Sequence, residues 1–316
     1  EIAALNRTEL SEPPAPAAAP DGSARVAFWN VERGRYLDEA AALLAVVDAD
    51  VSLLCELDHG MARSFQRHTA RDLAARTGQG YAFAVEFLEL DLGAEHERAW
   101  HDGEENDAGL HGAAILSPHA LGRPALIRLE TDGDWFDGAR GERRVGGRIA
   151  LAATVAVAGV DVTCVSVHLE SHSDPRHRAR QMAVLLDAVD AYAPGAPTVI
   201  GGDFNTQSAA RDRVDDRAGR VALLAEDPRR YVDPVRHEPL FDAARAAGFN
   251  WAACNAPGPT QRTPRYAAPR PHPGRLDWFF TRGVDTTDPV TVAAVDGDGR
   301  AISDHDLLAV TIRPAV

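Results

Sequence analysis

The chain has 316 residues, 45% of them hydrophobic, and 47 Asp or Glu against 33 basic residues give it a net charge of −14. That length can bury a sizeable core, and no apolar run approaches the roughly 18 residues that a membrane-spanning helix needs. There is no lysine, which excludes Schiff-base and lysine-nucleophile chemistry, and 3 cysteines cannot build a disulfide framework.

Residues 1–24, with SEPPAPAAAPDGSA, read as a flexible Pro/Ala-rich N-terminal segment without the apolar core of a signal peptide. A cytoplasmic location is the simpler expectation, and secretion stays open because the sequence does not begin with Met and its N-terminus could be a processed one. From 25 to 316 a single domain is expected, because the motif-bearing segments run from 28 to 306 and any cut would divide them. A monomer is expected.

Strand signals fall at 25–30, 51–55, 81–85, 112–117, 148–157, 160–168, 197–201, 276–281 and 306–313, each rich in Val, Ile, Phe or Leu and bounded by Gly, Asp or Pro. Helical spacing appears at Leu37, Ala40, Ala41, Leu44 and Val47, and again at Met182, Leu185, Leu186 and Val189. The second helix should start at Asp174 as N-cap with Pro175 next. Ala158 and Gly159 join two strands as a β-hairpin, so the sheet is not purely parallel. The pattern is α/β (α+β): two packed mixed sheets flanked by helices. Long loops are expected at 86–110, 130–147, 207–238 and 254–274.

Five segments run from an apolar stretch into residues that bind metal or move protons: FWNVE, LLCELD, VSVHLE, IGGDFNT, and RLDWFF followed by ISDHD. Asp203 and Asn205 are two apart and share a face if the strand continues, a carboxylate and an amide suited to activating water beside a phosphoryl group. Glu56 ends a buried strand, where a carboxylate needs a partner or a metal, and a hard ion such as Mg2+ could be anchored by it with Asn30 nearby. Asp58 and His59 are expected in a solvated turn. His305 needs a carboxylate to fix its tautomer, and either Asp277 or Asp304 could supply it. His168 suits a phosphate contact or a leaving-group acid, although His168, Glu170 and His172 alternate in a way that could also suit zinc. His111 precedes a small-residue strand, and Arg148 opens the next.

In this order the residues resemble the endonuclease/exonuclease/phosphatase superfamily of DNase I-like hydrolases, with GGDFN and SDH the most specific parts. The resemblance spans about residues 25–314. It implies a four-layer sandwich and a divalent metal, Mg2+ or Mn2+, at Asn30 and Glu56, with Asp304 near it. It implies Asp203 as the base, Asn205 beside it on the phosphate, Asp277 paired with His305, and His168 at the phosphate. His111 stands where some relatives place a tyrosine, and Arg148 is taken as a phosphate-binding cation.

Between Glu86 and Gly109 nine acidic residues face one arginine. An acidic loop there would repel a polyanion, so a small or lipid-linked phosphoester is the expected substrate. A Mg2+-dependent nuclease is the alternative, and a non-catalytic binding module is a third possibility.

Overall fold

The computed structural model describes residues 2–315. The larger sheet is built from β1 (Thr8–Ser11), β2 (Ala24–Arg33), β3 (Val51–His59), β4 (Gly80–Glu89), β5 (Leu110–Ser117), β7 (Arg144–Gly146), β12 (Val284–Val292) and β13 (Leu307–Pro314). The smaller one contains β6 (Gly122–Arg128), β8 (Ile149–Val157), β9 (Val160–His168), β10 (Thr198–Asp203) and β11 (Asp277–Arg282). Strand order is β1-β4-β5-β3-β2-β13-β12 in the first, with β7 beside β4, and β11-β10-β9-β8-β6 in the second. Only β2 with β3 and β9 with β10 run parallel among the described pairs. The sheets are therefore mixed, as the hairpin requires.

Helices cover both outer faces: α1 (Leu37–Val47) and α2 (Thr69–Thr77) on the larger sheet, α4 (Pro175–Tyr192) and α7 (Leu240–Ala246) on the smaller. The shorter helices α3 (Glu95–Trp100), α5 (Arg211–Asp215) and α6 (Arg217–Glu226) lie in the long connections. Along β2, Val26 and Phe28 pack between the sheets while Ala27 and Trp29 pack under helices. Strands buried on both faces read as continuous apolar runs, which is why they stand out in the sequence. Asp174 caps α4 by accepting from the His177 amide at 2.8 Å, with Pro175 at the first turn. Among the described residues no helix is long and apolar enough to cross a membrane.

The N-terminal segment departs from the expectation of a flexible lead-in. Residues Thr8–Ser11 add an antiparallel edge strand to β4, where main-chain bonding compensates for a low apolar content.

Gly201 in β10 sets how closely the sheets approach, and Gly202 how closely β10 packs against the neighbouring strand β9. A Cβ on Gly201 would lie 2.9 Å from Leu53 Cδ1 of the opposite sheet and 3.0 Å from Phe28 Cβ. One on Gly202 would collide with the Val167 side chain and lie 2.8 Å from its carbonyl oxygen. Gly201→Ala and Gly202→Ala should each cost about 1–3 kcal/mol through overpacking, read as lowered urea midpoints. Unchanged midpoints would mean that this spacing does not depend on the glycines.

Candidate active site

Three neighbouring strands of the smaller sheet end in register. Asp203 of β10 pairs with His168 of β9 on one side and with Asp277 of β11 on the other. Beyond β10, Asn205 takes a positive φ of 49° and its backbone N–H donates to Asp203 Oδ1 at 3.0 Å. Its Nδ2 donates to the Leu169 carbonyl at 3.0 Å, which holds the amide against the end of β9.

The larger sheet supplies Asn30 and Glu56. Leu54 and Leu57 both face the helices, which strict alternation forbids. The surplus residue is taken up at Glu56, whose φ is 59°, and the pairing of β3 with β5 shifts there. This bulge frees the Glu56 side chain from either face of the sheet. Such left-handed backbone in a non-glycine residue is costly and gathers at functional sites; Glu32 and Arg33 at the end of β2 share it.

Side chains from the two sheets then meet. Asn30 Nδ2 donates to Glu56 Oε1 at 2.9 Å and to Asp203 Oδ2 at 3.2 Å, while its Oδ1 accepts from the Glu32 amide at 3.1 Å. In this arrangement Asn30 turns its nitrogen, not its oxygen, toward the two carboxylates. Ser303 Oγ donates to the Asn30 carbonyl at 2.7 Å and accepts from the His305 amide at 3.1 Å, tying the SDH turn to β2. Of the two candidate partners, Asp277 holds His305, with Oδ2 2.8 Å from Nδ1. Asp304 lies farther off, its Oδ1 3.9 Å from His305 Nε2.

Asp203 Oδ2 is 3.6 Å from His168 Nε2 and 3.6 Å from His305 Nε2. These distances exceed hydrogen-bonding range, so the three groups face a common space rather than satisfy one another. Burial pushes the Asp203 carboxyl up to about 7, with Asp277 and Glu56 adding to it and His305 opposing. Burial works against charge on His305 too, yet Asp277, Asp203 and Asp304 hold its imidazole well above the usual range. His168 goes the other way, lowered by burial and then by the Arg148 guanidinium. Arg148 Nη1 sits 3.2 Å from His168 Nδ1 and 3.4 Å from its Nε2, so the guanidinium reaches both nitrogens of the neutral ring and holds its orientation.

Arg148 itself is 2% exposed and bonds Glu86 at 2.6 Å and Glu170 at 3.2 Å. Arg148, expected as a phosphate-binding cation, is thus not a simple surface charge: Nε and Nη1 are engaged inside the protein, Nη2 lies 3.4 Å from Ser171 Oγ, and the group orients His168. The zinc arrangement does not form, because Glu170 is held by Arg148 and by Trp135 Nε1 at 2.8 Å. Asp58, expected in a solvated turn, is buried and bonds Arg63 at 2.8 and 2.9 Å and His111 Nδ1 at 2.8 Å. That leaves only Nε2 of His111 to serve the pocket it lines.

Nor is the 86–110 segment an open acidic loop. Glu86, Glu89 and Glu97 are buried against Arg148, Arg63 and Arg33. Arg33 also closes on Glu56. The pocket is lined by Arg33, Arg144, Arg148, Arg211 and Arg270 against Glu56, Glu142, Asp203 and Asp304, so it is close to charge balance despite the acidic chain. Sequence reasoning missed Arg33, Arg63, Glu142 and Trp135, which lie in loops or strand ends without a motif.

A family model described as the Endonuclease/Exonuclease/phosphatase family matches residues 27–305, and the chain belongs to that family. This membership supports phosphoester hydrolysis as its general chemistry. No curated protein matches the chain. Among solved structures it is similar to an endonuclease/exonuclease/phosphatase from Beutenbergia cavernae, at 19% identity and TM-score 0.61 over 93% of this chain and 72% of that one. The human Nocturnin catalytic domain, with a bound sulfate, matches at 16% identity and TM-score 0.58, covering 98% and 97%. Caenorhabditis elegans TDP2 in truncated form matches at 17% identity and TM-score 0.52, covering 92% and 97%. At these identities the likenesses establish the two-sheet fold.

The family implies a divalent cation, and the donor set can be tested for it. Oxygens of Glu56 and Asp203 and a nitrogen of His168 lie within 4.8 Å of one another, as do donors of Asp203, Asp277 and His305. The second trio is already bound internally through Asp277 and His305. Carboxylate oxygens in the first suit a hard ion, so the residues fit the group.

Glu142 offers a pH test of the arginine network. Burial opposes its charge, but Arg144, Arg33 and Arg63 bring it down to about 2. A carboxyl depressed on folding stabilises the protein above its unfolded value and loses that contribution as pH falls toward the folded one. Glu142→Gln should therefore destabilise at pH 7 by about 1–3 kcal/mol, with roughly half of the difference gone at pH 3. A urea-midpoint difference that stays constant between the two pH values would contradict this.

Proposed function

We propose that this chain is a divalent-metal-dependent phosphoester hydrolase in which Asp203 orients and deprotonates the attacking water. The observation that supports it most is the shared space between Asp203, His168 and His305, bordered by Glu56. Glu56, with Asp304 on the same pocket wall, would hold Mg2+ or Mn2+. When bound, that ion supplies Lewis-acid stabilisation of charge on the phosphoryl oxygens.

The protein's own groups divide the remaining work. Asp203 accepts the proton of the water. His305, kept charged by Asp277, places a cationic donor against the negative charge that builds on the phosphoryl group. Neutral His168 contributes its ring N–H to a phosphoryl oxygen. Asn205 uses one amide hydrogen on Leu169 and has the second for the substrate. Asn30 couples Glu56 to Asp203 across the two sheets.

The near-balanced pocket admits one phosphoester, and the remaining exposed acids of the 86–110 segment, among them Glu95, Asp102, Glu104, Glu105 and Asp107, disfavour a long polyanion. A small or lipid-linked phosphoester is therefore the proposed substrate rather than nucleic acid.

Asp203→Ala should reduce turnover of bis-p-nitrophenyl phosphate by about 10^2–10^4-fold with an unchanged urea midpoint or a higher one, since a buried carboxylate is removed. Activity near wild type in that variant would sink the assignment. EDTA should abolish turnover and added Mg2+ or Mn2+ restore it; full activity after chelation would exclude the metal. A panel of a phosphomonoester, sphingomyelin, an inositol phosphate and plasmid DNA separates the substrate classes, and efficient plasmid nicking would favour the nuclease.

A further inference from the structure

A second cavity of about 170 Å3 adjoins the catalytic pocket, and Arg211, Gln261, Arg270 and Leu276 line both. The two are compartments of one cleft. The side compartment has the larger excess of cationic groups over carboxylates: Arg211, Arg220 and Arg270 line it, against Asp215 alone. Asp215 is occupied by Arg211 at 2.8 Å, and Arg270 reaches Asp304 of the catalytic pocket at 3.6 Å. Arg220 donates to the Val214 carbonyl at 2.9 and 2.7 Å and has no carboxylate partner among the described residues. A guanidinium has five donors in a planar fork, so a carbonyl leaves both donors and charge unmatched.

Tyr231 supplies a second, independent sign. It lines the same compartment and is 5% exposed, yet its hydroxyl has no hydrogen-bond partner. Leaving such a group unpaired costs about 1–3 kcal/mol; its oxygen is closed off from the cavity in the free protein, so a ligand oxygen relieves it once the side chain turns toward the compartment. Its ring lies 5.9 Å from the Arg220 guanidinium, so the two side chains are neighbours on the cavity wall. Val214 and Leu276 add apolar lining against which a compact organic body can rest.

We infer that this compartment binds the part of the substrate beyond the scissile phosphate, and that this part carries a second phosphate group recognised by Arg220 and the Tyr231 hydroxyl. This rests on the phosphoester reading and narrows it to small bisphosphorylated substrates. Phosphate oxygens accept from both the guanidinium fork and the hydroxyl, and the arginine charge favours a dianion. Arg211 and Arg270, at the junction, would lie along the path between the two phosphates.

The test uses full-length Mg2+-loaded protein and two pairs of probes: adenosine 3′,5′-bisphosphate with adenosine 5′-monophosphate, and fructose 1,6-bisphosphate with fructose 6-phosphate. Calorimetric titration of the Asp203→Ala protein should show at least one bisphosphate binding tenfold or more tighter than its monophosphate. Arg220→Ala and Tyr231→Phe, each added to that protein, should remove most of the difference. In the otherwise native enzyme the same two changes should leave hydrolysis of bis-p-nitrophenyl phosphate within twofold. Tyr231→Phe should also not lower the urea midpoint, because the hydroxyl it removes has no partner in the free protein. Equal affinities in both pairs, or a preference that survives both substitutions, overturns the inference. Tighter binding of a short oligonucleotide than of either bisphosphate, lost with Arg220→Ala, overturns it in favour of a nucleic-acid subsite. If the native enzyme fails to hydrolyse any phosphoester, the catalytic reading falls while the binding result still decides what the compartment holds.

Discussion

The close approach of the two sheets at the end of β10 is the constraint on which the site depends. The candidate catalytic groups come from both layers: Asn30 and Glu56 from one, His168, Asp203 and Asp277 from the other. They meet because Gly201 carries no side chain where Leu53 and Phe28 of the opposite sheet press in. Ser166 Oγ adds a hydrogen bond of 2.9 Å to the Leu54 carbonyl of the opposite sheet. Side chains at this point would push the layers apart and break the Asn30 bridge between Glu56 and Asp203.

Beneath that bridge the structure solves a problem of buried charge. An isolated ion in a protein interior is far costlier than a paired one, and this chain buries many carboxylates close together. Its main answer is arginine. Arg63, fully buried, reaches Asp58, Glu89, Glu97 and His111 at once, and Arg148 spans Glu86, Glu170 and His168. A planar fork of five donors can serve several acceptors in this way, whereas an ammonium is a single point. The same pairing explains how a chain of net charge −14 presents a pocket able to receive an anion.

The nine strands legible in the sequence all formed, and those it did not reveal, β1, β6, β7 and β12, lie at or beside sheet edges. The reason is burial. An interior strand is packed on both faces and becomes an apolar run, while an edge strand such as β12, with Asp285, Asp288 and Pro289, is held by main-chain pairing to one neighbour and resembles a loop. The helix α4 was legible down to its cap because Asp174 and Pro175 act locally. The 86–110 segment misled for the opposite reason: Glu86 and Glu89 count as charges in composition but sit on a buried strand, facing arginines remote in sequence.

From sequence alone came the two mixed sheets, the family resemblance and the motif residues, since these depend on local pattern and on residue types that few other chemistries need. Tertiary structure decided which of Asp277 and Asp304 supports His305, that Arg148 serves His168, and that Asp58 belongs to the buried network. It also decided that a second, cationic compartment with an unsatisfied Tyr231 hydroxyl opens beside the first. Each of these turns on a distance of a few ångströms between residues far apart in the chain, and hydrogen bonds and ion pairs are sensitive to that distance in a way no spacing along the sequence encodes.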